Sequence, residues 1–129
     1  GAAGTASPDT IKAMPLDMYF DYLGIRLNGP KAAQSGDFKL NWVFSDPAET
    51  HVVTVRTGAL THRKGDAASD ATATLALSRG TLDAITLGQT TFDKAMGDGS
   101  IRVTGDRSAV TKLFANLDDF PIFFNIVTP

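Results

Sequence analysis

Hydrophobic and polar positions recur along the chain with two different periods, and the changes of period divide it into elements. From Pro15 onward, Leu16, Tyr19, Phe20, Leu23 and Leu27 recur at helical spacing. They predict a helix with one apolar stripe against a core, with Asp17, Asp21 and Asn28 on the wet side. Pro15 suits the first turn, because its ring fixes φ and the N–H it lacks has no helical partner there. Asn28-Gly29-Pro30 reads as the stop. Met18, Tyr22 and Ile25 fall outside the stripe, so the helix is apolar over more of its circumference than a surface helix needs. A second neighbour or a ligand is expected to cover them.

The period then drops to two. Phe38, Leu40, Trp42 and Phe44 alternate with Lys39, Asn41, Val43 and Ser45, which places three aromatics and a leucine on one face of a strand that ends at Asp46-Pro47. The β-branched run from His51 to Thr57 is a second strand, Gly58 a hairpin break, and Leu60 to Lys64 a short third strand, giving a meander. After a polar loop from Gly65 to Asp70, the stretch Ala71 to Leu77 alternates again, with Ala73, Leu75 and Leu77 inward.

Helical spacing returns with Leu82 and Ile85 after a cap at Thr81. It continues with Phe92, Ala95 and Met96 after Thr90, whose partner Asp93 completes a capping-box pattern. Ile101 and Val103 make a fifth strand, Gly105-Asp106 a turn, and Val110, Leu113, Phe114 and Leu117 one face of a closing helix. The order predicts an α+β fold, a five-stranded mostly antiparallel sheet covered by helices on one face.

A chain of 129 residues is one domain. Residues 1–7, Gly-Ala-Ala-Gly-Thr-Ala-Ser, read as a linker or remnant, and 8–129 as the folded unit. No apolar run approaches the ~18 residues of a membrane-spanning helix, so a soluble protein is expected. With a net charge of −2 and His62-Arg63-Lys64 as the one basic cluster, nucleic acid is not an expected partner. The absence of cysteine removes thiolate metal sites and thiol nucleophiles and leaves the compartment, cytoplasmic or exported, open.

Catalytic chemistry is thin. His51 and His62 lack metal-ligand spacing and read as surface or strand-edge histidines, so no metal and no cofactor is expected. No Gly-x-Ser-x-Gly elbow is present. Gly97-x-Gly99 fails as a dinucleotide fingerprint, because Arg102 stands where the third glycine belongs and the glycines precede a strand. Thirteen of the 14 acidic residues are aspartates, mostly at predicted turns and helix starts, so Asp93 and Asp106 read as caps.

What stands out is apolar: eight phenylalanines, one tryptophan, and a tail from Phe120 to Val127 that is far from the polar, frayed terminus usual for a domain. These residues fit either an ordinary core or the lining of a cavity for an alkyl chain, which needs no motif.

Five stretches carry a resemblance. They are Met14-Pro15-Leu16-Asp17; Gly24-Ile25-Arg26-Leu27-Asn28-Gly29-Pro30-Lys31-Ala32; Phe38-Lys39-Leu40-Asn41-Trp42; Gly99 to Asp106; and the ending Phe124-Asn125-Ile126-Val127-Thr128-Pro129. In this order they resemble the sterol-carrier-protein-two fold, and more closely the C-terminal domain of bacterial linear alkylsulfatases of the metallo-β-lactamase superfamily. The resemblance implies an apolar cleft between sheet and helices, and a domain that captures or delivers an aliphatic group such as an alkyl sulfate. It implies that the two-zinc hydrolytic site lies in a separate catalytic domain of the parent chain, since no zinc ligand carries over to any residue here. The chain alone is expected to be non-catalytic. The expected apolar lining is Met18, Tyr22, Trp42, Phe44, Phe92, Phe120, Phe123, Phe124 and Ile126, with Arg26 as the head-group candidate and Arg56 and Arg102 as alternatives. Two other readings share these features: a docking module without a ligand, and a stand-alone carrier of sterol or acyl-CoA.

Overall fold

The computed structural model describes residues 13–46 and 48–116. Helix α1 spans Leu16–Arg26 and buries Leu16, Tyr19, Phe20 and Leu23, four of the five residues of the predicted stripe. The fifth, Leu27, is buried just after the helix, where the backbone turns extended. Pro15 sits one position earlier than expected, at the N-cap.

Asn28-Gly29-Pro30 does more than stop α1. Asn28 Oδ1 accepts from Lys31 N–H at 3.0 Å and opens a second helix, α2 (Gly29–Ser35), which the sequence pattern does not predict. Only Ala32 of α2 is buried, so the hydrophobic pattern carries no trace of it and its capping residues read as a terminator.

The sheet has the order β3-β2-β1-β4-β5, with β1 at Phe38–Ser45, β2 at Ala48–Arg56, β3 at Ala59–Lys64, β4 at Ala73–Leu77 and β5 at Arg102–Gly105. Strands β1, β2 and β3 form the expected antiparallel meander, β5 is antiparallel to β4, and β4 alone lies parallel to its neighbour β1. A parallel neighbour requires the chain to cross the sheet. The connecting loop does so over the face away from the helices, where Asn41 pins it: Asn41 Nδ2 donates to Ala68 O at 3.0 Å and Asn41 Oδ1 accepts from Ala68 N–H at 2.8 Å.

The hairpin between β2 and β3 turns through Thr57 and Gly58, both at positive φ (49° and 79°), the geometry of a two-residue type I′ turn. A Cβ on Gly58 would lie 2.3 Å from the carbonyl oxygen of Gly29, so this glycine is what lets the hairpin abut the start of α2.

Helices α3 (Arg79–Thr86), α4 (Phe92–Asp98) and α5 (Arg107–Ala115) complete the helical layer. Their caps differ from the expected ones by one to three residues. Ser78, not Thr81, caps α3 by accepting from Thr81 N–H, and Thr91, not Thr90, caps α4 by accepting from Lys94 N–H. Asp106 caps as expected, its carboxylate accepting from Ser108 N–H at 2.9 Å. Leu117 and the tail from Phe120 onward lie outside the described residues, as do residues 1–7.

Candidate functional site

The expected lining residues separate into three environments. Trp42 and Phe44 belong to the closed core. The Phe20 ring meets Trp42 edge-on with centroids 5.1 Å apart, Phe44 stacks on Trp42 at 6.3 Å, and all three side chains are buried. Met18 stands on the outer side of α1 with 48% of its surface exposed, as does Ile25 at 72%, whereas Tyr22 on the same helix is half-buried and packs against the core. Phe92 is different. Half-buried at the start of α4, it meets Trp42 edge-on at 6.3 Å and lines a recess with Met96 and Val110. Phe120, Phe123, Phe124 and Ile126 lie outside the described residues.

This recess has a volume of about 240 Å³ and lies between α4 and α5, with Thr91, Asp93, Thr111 and Ala115 at its edges. The local sequence explains it. Both helices are short and each turns one apolar face to the sheet, Ala95 from α4 and Val110 and Leu113 from α5. Phe92 and Met96, four residues apart, stay only partly covered. The recess has an aromatic floor in contact with the only tryptophan and a single charged group, Asp93, at its edge.

Arg26 does not reach this groove. It ends α1, half-buried, with its Nε shut from solvent and without a hydrogen-bond partner. Arg56 lines a different, polar recess on the sheet face away from the helices, together with Lys39, Thr54, Thr61 and Arg63. Arg102 shares that face, since Val103, its neighbour on β5, packs on the core. None of the three arginines is placed to meet a head group whose chain lies between α4 and α5.

A cluster of titratable groups that the sequence pattern did not reveal lies under α1. His51 is not a surface or strand-edge residue: it pairs with Trp42 across the β1–β2 ladder and is 1% exposed, because Phe20 lies over it at 5.2 Å between centroids. Its Nε2 is 2.7 Å from a Glu49 carboxylate oxygen, and this hydrogen bond holds the Glu49 carboxyl below the usual range. His62, on β3, is 2.6 Å from Asp21 through Nε2. Both Nδ1 atoms are buried without a hydrogen-bond partner and face the same Asp17 oxygen, at 3.6 Å from His51 and 3.8 Å from His62. The readable signal was alternation: His51 shares its strand face with Val53 and Val55, both fully buried. Nearby, burial pushes the Tyr19 hydroxyl well above the usual phenol range, and a hydrogen bond with Thr86 offsets this only in part. Among the described residues, no group of three or more His, Asp or Glu side chains is arranged to hold a metal ion.

Comparison with known proteins adds independent findings. The family model described as "Alkyl sulfatase C-terminal" matches residues 4–129. A linear primary-alkylsulfatase from Pseudomonas sp is 42% identical over 125 residues, which is 97% of this chain and 18% of that protein. The solved stereoselective inverting sec-alkylsulfatase Pisa1 from Pseudomonas sp. superposes with a TM-score of 0.77 at 36% identity, over 84% of this chain and 17% of the other. Apo sterol carrier protein 2 from Yarrowia lipolytica, 18% identical, shares the fold, with a TM-score of 0.54 over 79% of this chain and 91% of that one. The chain thus spans less than a fifth of the alkylsulfatases it matches and most of the length of a sterol carrier protein.

Proposed function

Since the chain belongs to the alkyl sulfatase C-terminal family, with a fold like that of sterol carrier protein 2, we propose that it binds the aliphatic part of an alkyl sulfate, or of the alcohol that hydrolysis releases. It presents that chain to a separate catalytic domain and performs no hydrolysis itself. The observation that carries this reading is the groove between α4 and α5, where Phe92, Met96 and Val110 offer an alkyl chain an apolar surface and almost no charge. Each methylene moved from water into such a groove contributes about 0.8 kcal/mol, so a long chain binds without a specific hydrogen bond. Chain-length discrimination is correspondingly shallow, about 0.8 kcal/mol per methylene.

Trp42 supplies the test, because Phe92 separates it from the groove. Titration with 1-dodecanol below its aggregation limit should change Trp42 emission saturably at one equivalent, and Met96→Glu, a charge at a partly covered position of the groove, should abolish the change while leaving the fold intact by circular dichroism. An emission that does not respond, together with no heat of binding by calorimetry, would remove the alkyl-binding reading. The docking-module reading has its own support in the outward Met18 and Ile25 of α1. It gains if this helix face, and not the groove, proves to be what the catalytic domain protects from solvent exchange.

A further inference from the structure

A second recess, of about 400 Å³, opens at the N-terminal end of α1. It shares no lining residue with the groove between α4 and α5, so a ligand held there goes beyond the function proposed above, and the two stand or fall separately. One wall is apolar, from Met14, Pro15 and Leu16, and the other carries Asp17, Glu49, His51 and Lys64.

The hydrogen-bond inventory of the polar wall is unbalanced. A carboxylate has no proton to give, so the 2.7 Å contact between His51 and Glu49 must be Nε2–H donating to Glu49. In the neutral ring Nδ1 then carries the lone pair. It faces Asp17 Oδ1 at 3.6 Å, another acceptor, and the same holds for His62, whose Nε2–H donates to Asp21 while its Nδ1 faces Asp17 at 3.8 Å. Where the rings are neutral, acceptors that face one another need a donor placed between them; a second proton on the ring is the one other way to fill the gap. Asp17 is the movable side of the gap, since its side chain is 64% exposed while that of His51 is 1% exposed.

The charges define which donor fits. Arg79, also on the recess, donates to Asp83 at 2.9 Å, and Lys64 lies 3.7 Å from Glu49. Both cations are therefore partnered by carboxylates, while Asp17, in the first turn of α1, has no lysine or arginine partner among the described residues. A sulfate ester finds acceptors and negative charge where it needs donors. A hydroxyl group brings the missing proton, and its oxygen can accept from the Lys64 ammonium. We infer that this recess is a binding site for an aliphatic alcohol, its hydroxyl donating into the gap between His51 Nδ1 and Asp17 Oδ1 and its chain lying on Met14, Pro15 and Leu16, and that it discriminates against the corresponding sulfate ester.

The test compares three probes that share an octyl group, on the whole chain at pH 8: 1-octanol, octyl sulfate and methyl octyl ether. Binding is followed through the imidazole resonances of His51 and His62 and, separately, the methyl resonances of Met96 and Val110 in the other groove. Octanol should shift the imidazole resonances saturably, and octyl sulfate and the ether should bind there at least about tenfold more weakly, the effect of losing a hydrogen bond to a charged or buried partner. Asp17→Asn places a side-chain N–H opposite His51 Nδ1 and should weaken octanol binding by a similar factor while raising the melting temperature. An ether or sulfate that matches octanol at the imidazoles, an octanol that shifts only Met96 and Val110, or an Asp17→Asn variant that binds octanol unchanged would each overturn the assignment.

Discussion

The layer under α1 and the groove between α4 and α5 are built from the same kinds of residue and end in different states. Under α1, Phe20, Trp42 and Phe44 are packed ring against ring, and even a histidine, His51, is buried. Between α4 and α5, Phe92 and Met96 are only partly covered and leave a recess. The difference lies in the covering element. Helix α1 has eleven residues and four buried side chains, enough to close its part of the sheet, whereas α4 has seven residues and buries only Ala95 fully. Aromatic content therefore does not locate an open recess; the length and seating of the helix above it does.

The sharpest way to test that contrast is to truncate one aromatic on each side. Phe20→Ala should cost about 3 to 5 kcal/mol in urea unfolding, the range for a large side chain deleted from a closed core. A loss below about 1 kcal/mol would mean that the layer under α1 is as loose as the groove. Gly58→Ala comes next in size. A non-glycine residue at this positive φ costs about 1 to 3 kcal/mol, and the new Cβ meets the Gly29 carbonyl as well, so the melting temperature should fall clearly. Phe92→Ala should cost less than Phe20→Ala, because Phe92 is half-buried, yet it should change the alkanol response of Trp42, which Phe20→Ala should preserve in the folded fraction.

The electrostatics of the closed side give a smaller effect with a definite sign. Glu49 has a carboxyl held below its ordinary value by the His51 hydrogen bond. The stability it contributes is present above the ordinary carboxylate range, near pH 4.3, and is lost as pH falls through the lowered folded value. Glu49→Gln, which keeps an acceptor for His51, should flatten that acid limb of the stability curve. Tyr19 acts at the other end. Its raised phenol keeps a proton that the unfolded chain releases above about pH 10, so stability should fall beyond that pH in the parent and much less in Tyr19→Phe. The smallest effect belongs to the outer face of α1, where Ile25→Ser should leave stability within about 0.5 kcal/mol. A larger loss would mean that this face is covered.

The five strands, the apolar face of β1 and the buried stripe of α1 were legible in the sequence, because period-two and period-3.6 patterns record which side of an element meets the core. The resemblance carried by the five stretches agrees with the family match over residues 4–129. Much less of the site was legible. Of the expected lining, Phe92 lies on the groove, Trp42 is one ring away from it, and Met18 points outward. Helix α2 left no hydrophobic trace, and Arg26, chosen for its guanidinium, stands away from both recesses.

What the sequence determined by itself was class and inward face: an α+β chain whose periodic residues must be buried somewhere, with a family likeness that fixes the order of its elements. What only the tertiary structure decided was which neighbours those faces meet. The parallel seating of β4 beside β1, the closure of Trp42 beneath Phe20 and the opposition of two histidine nitrogens to one aspartate all join residues far apart along the chain. Periodicity is a property of one element, whereas cavities and unsatisfied acceptors are properties of the distances between elements, and those are set when the helices settle on the sheet.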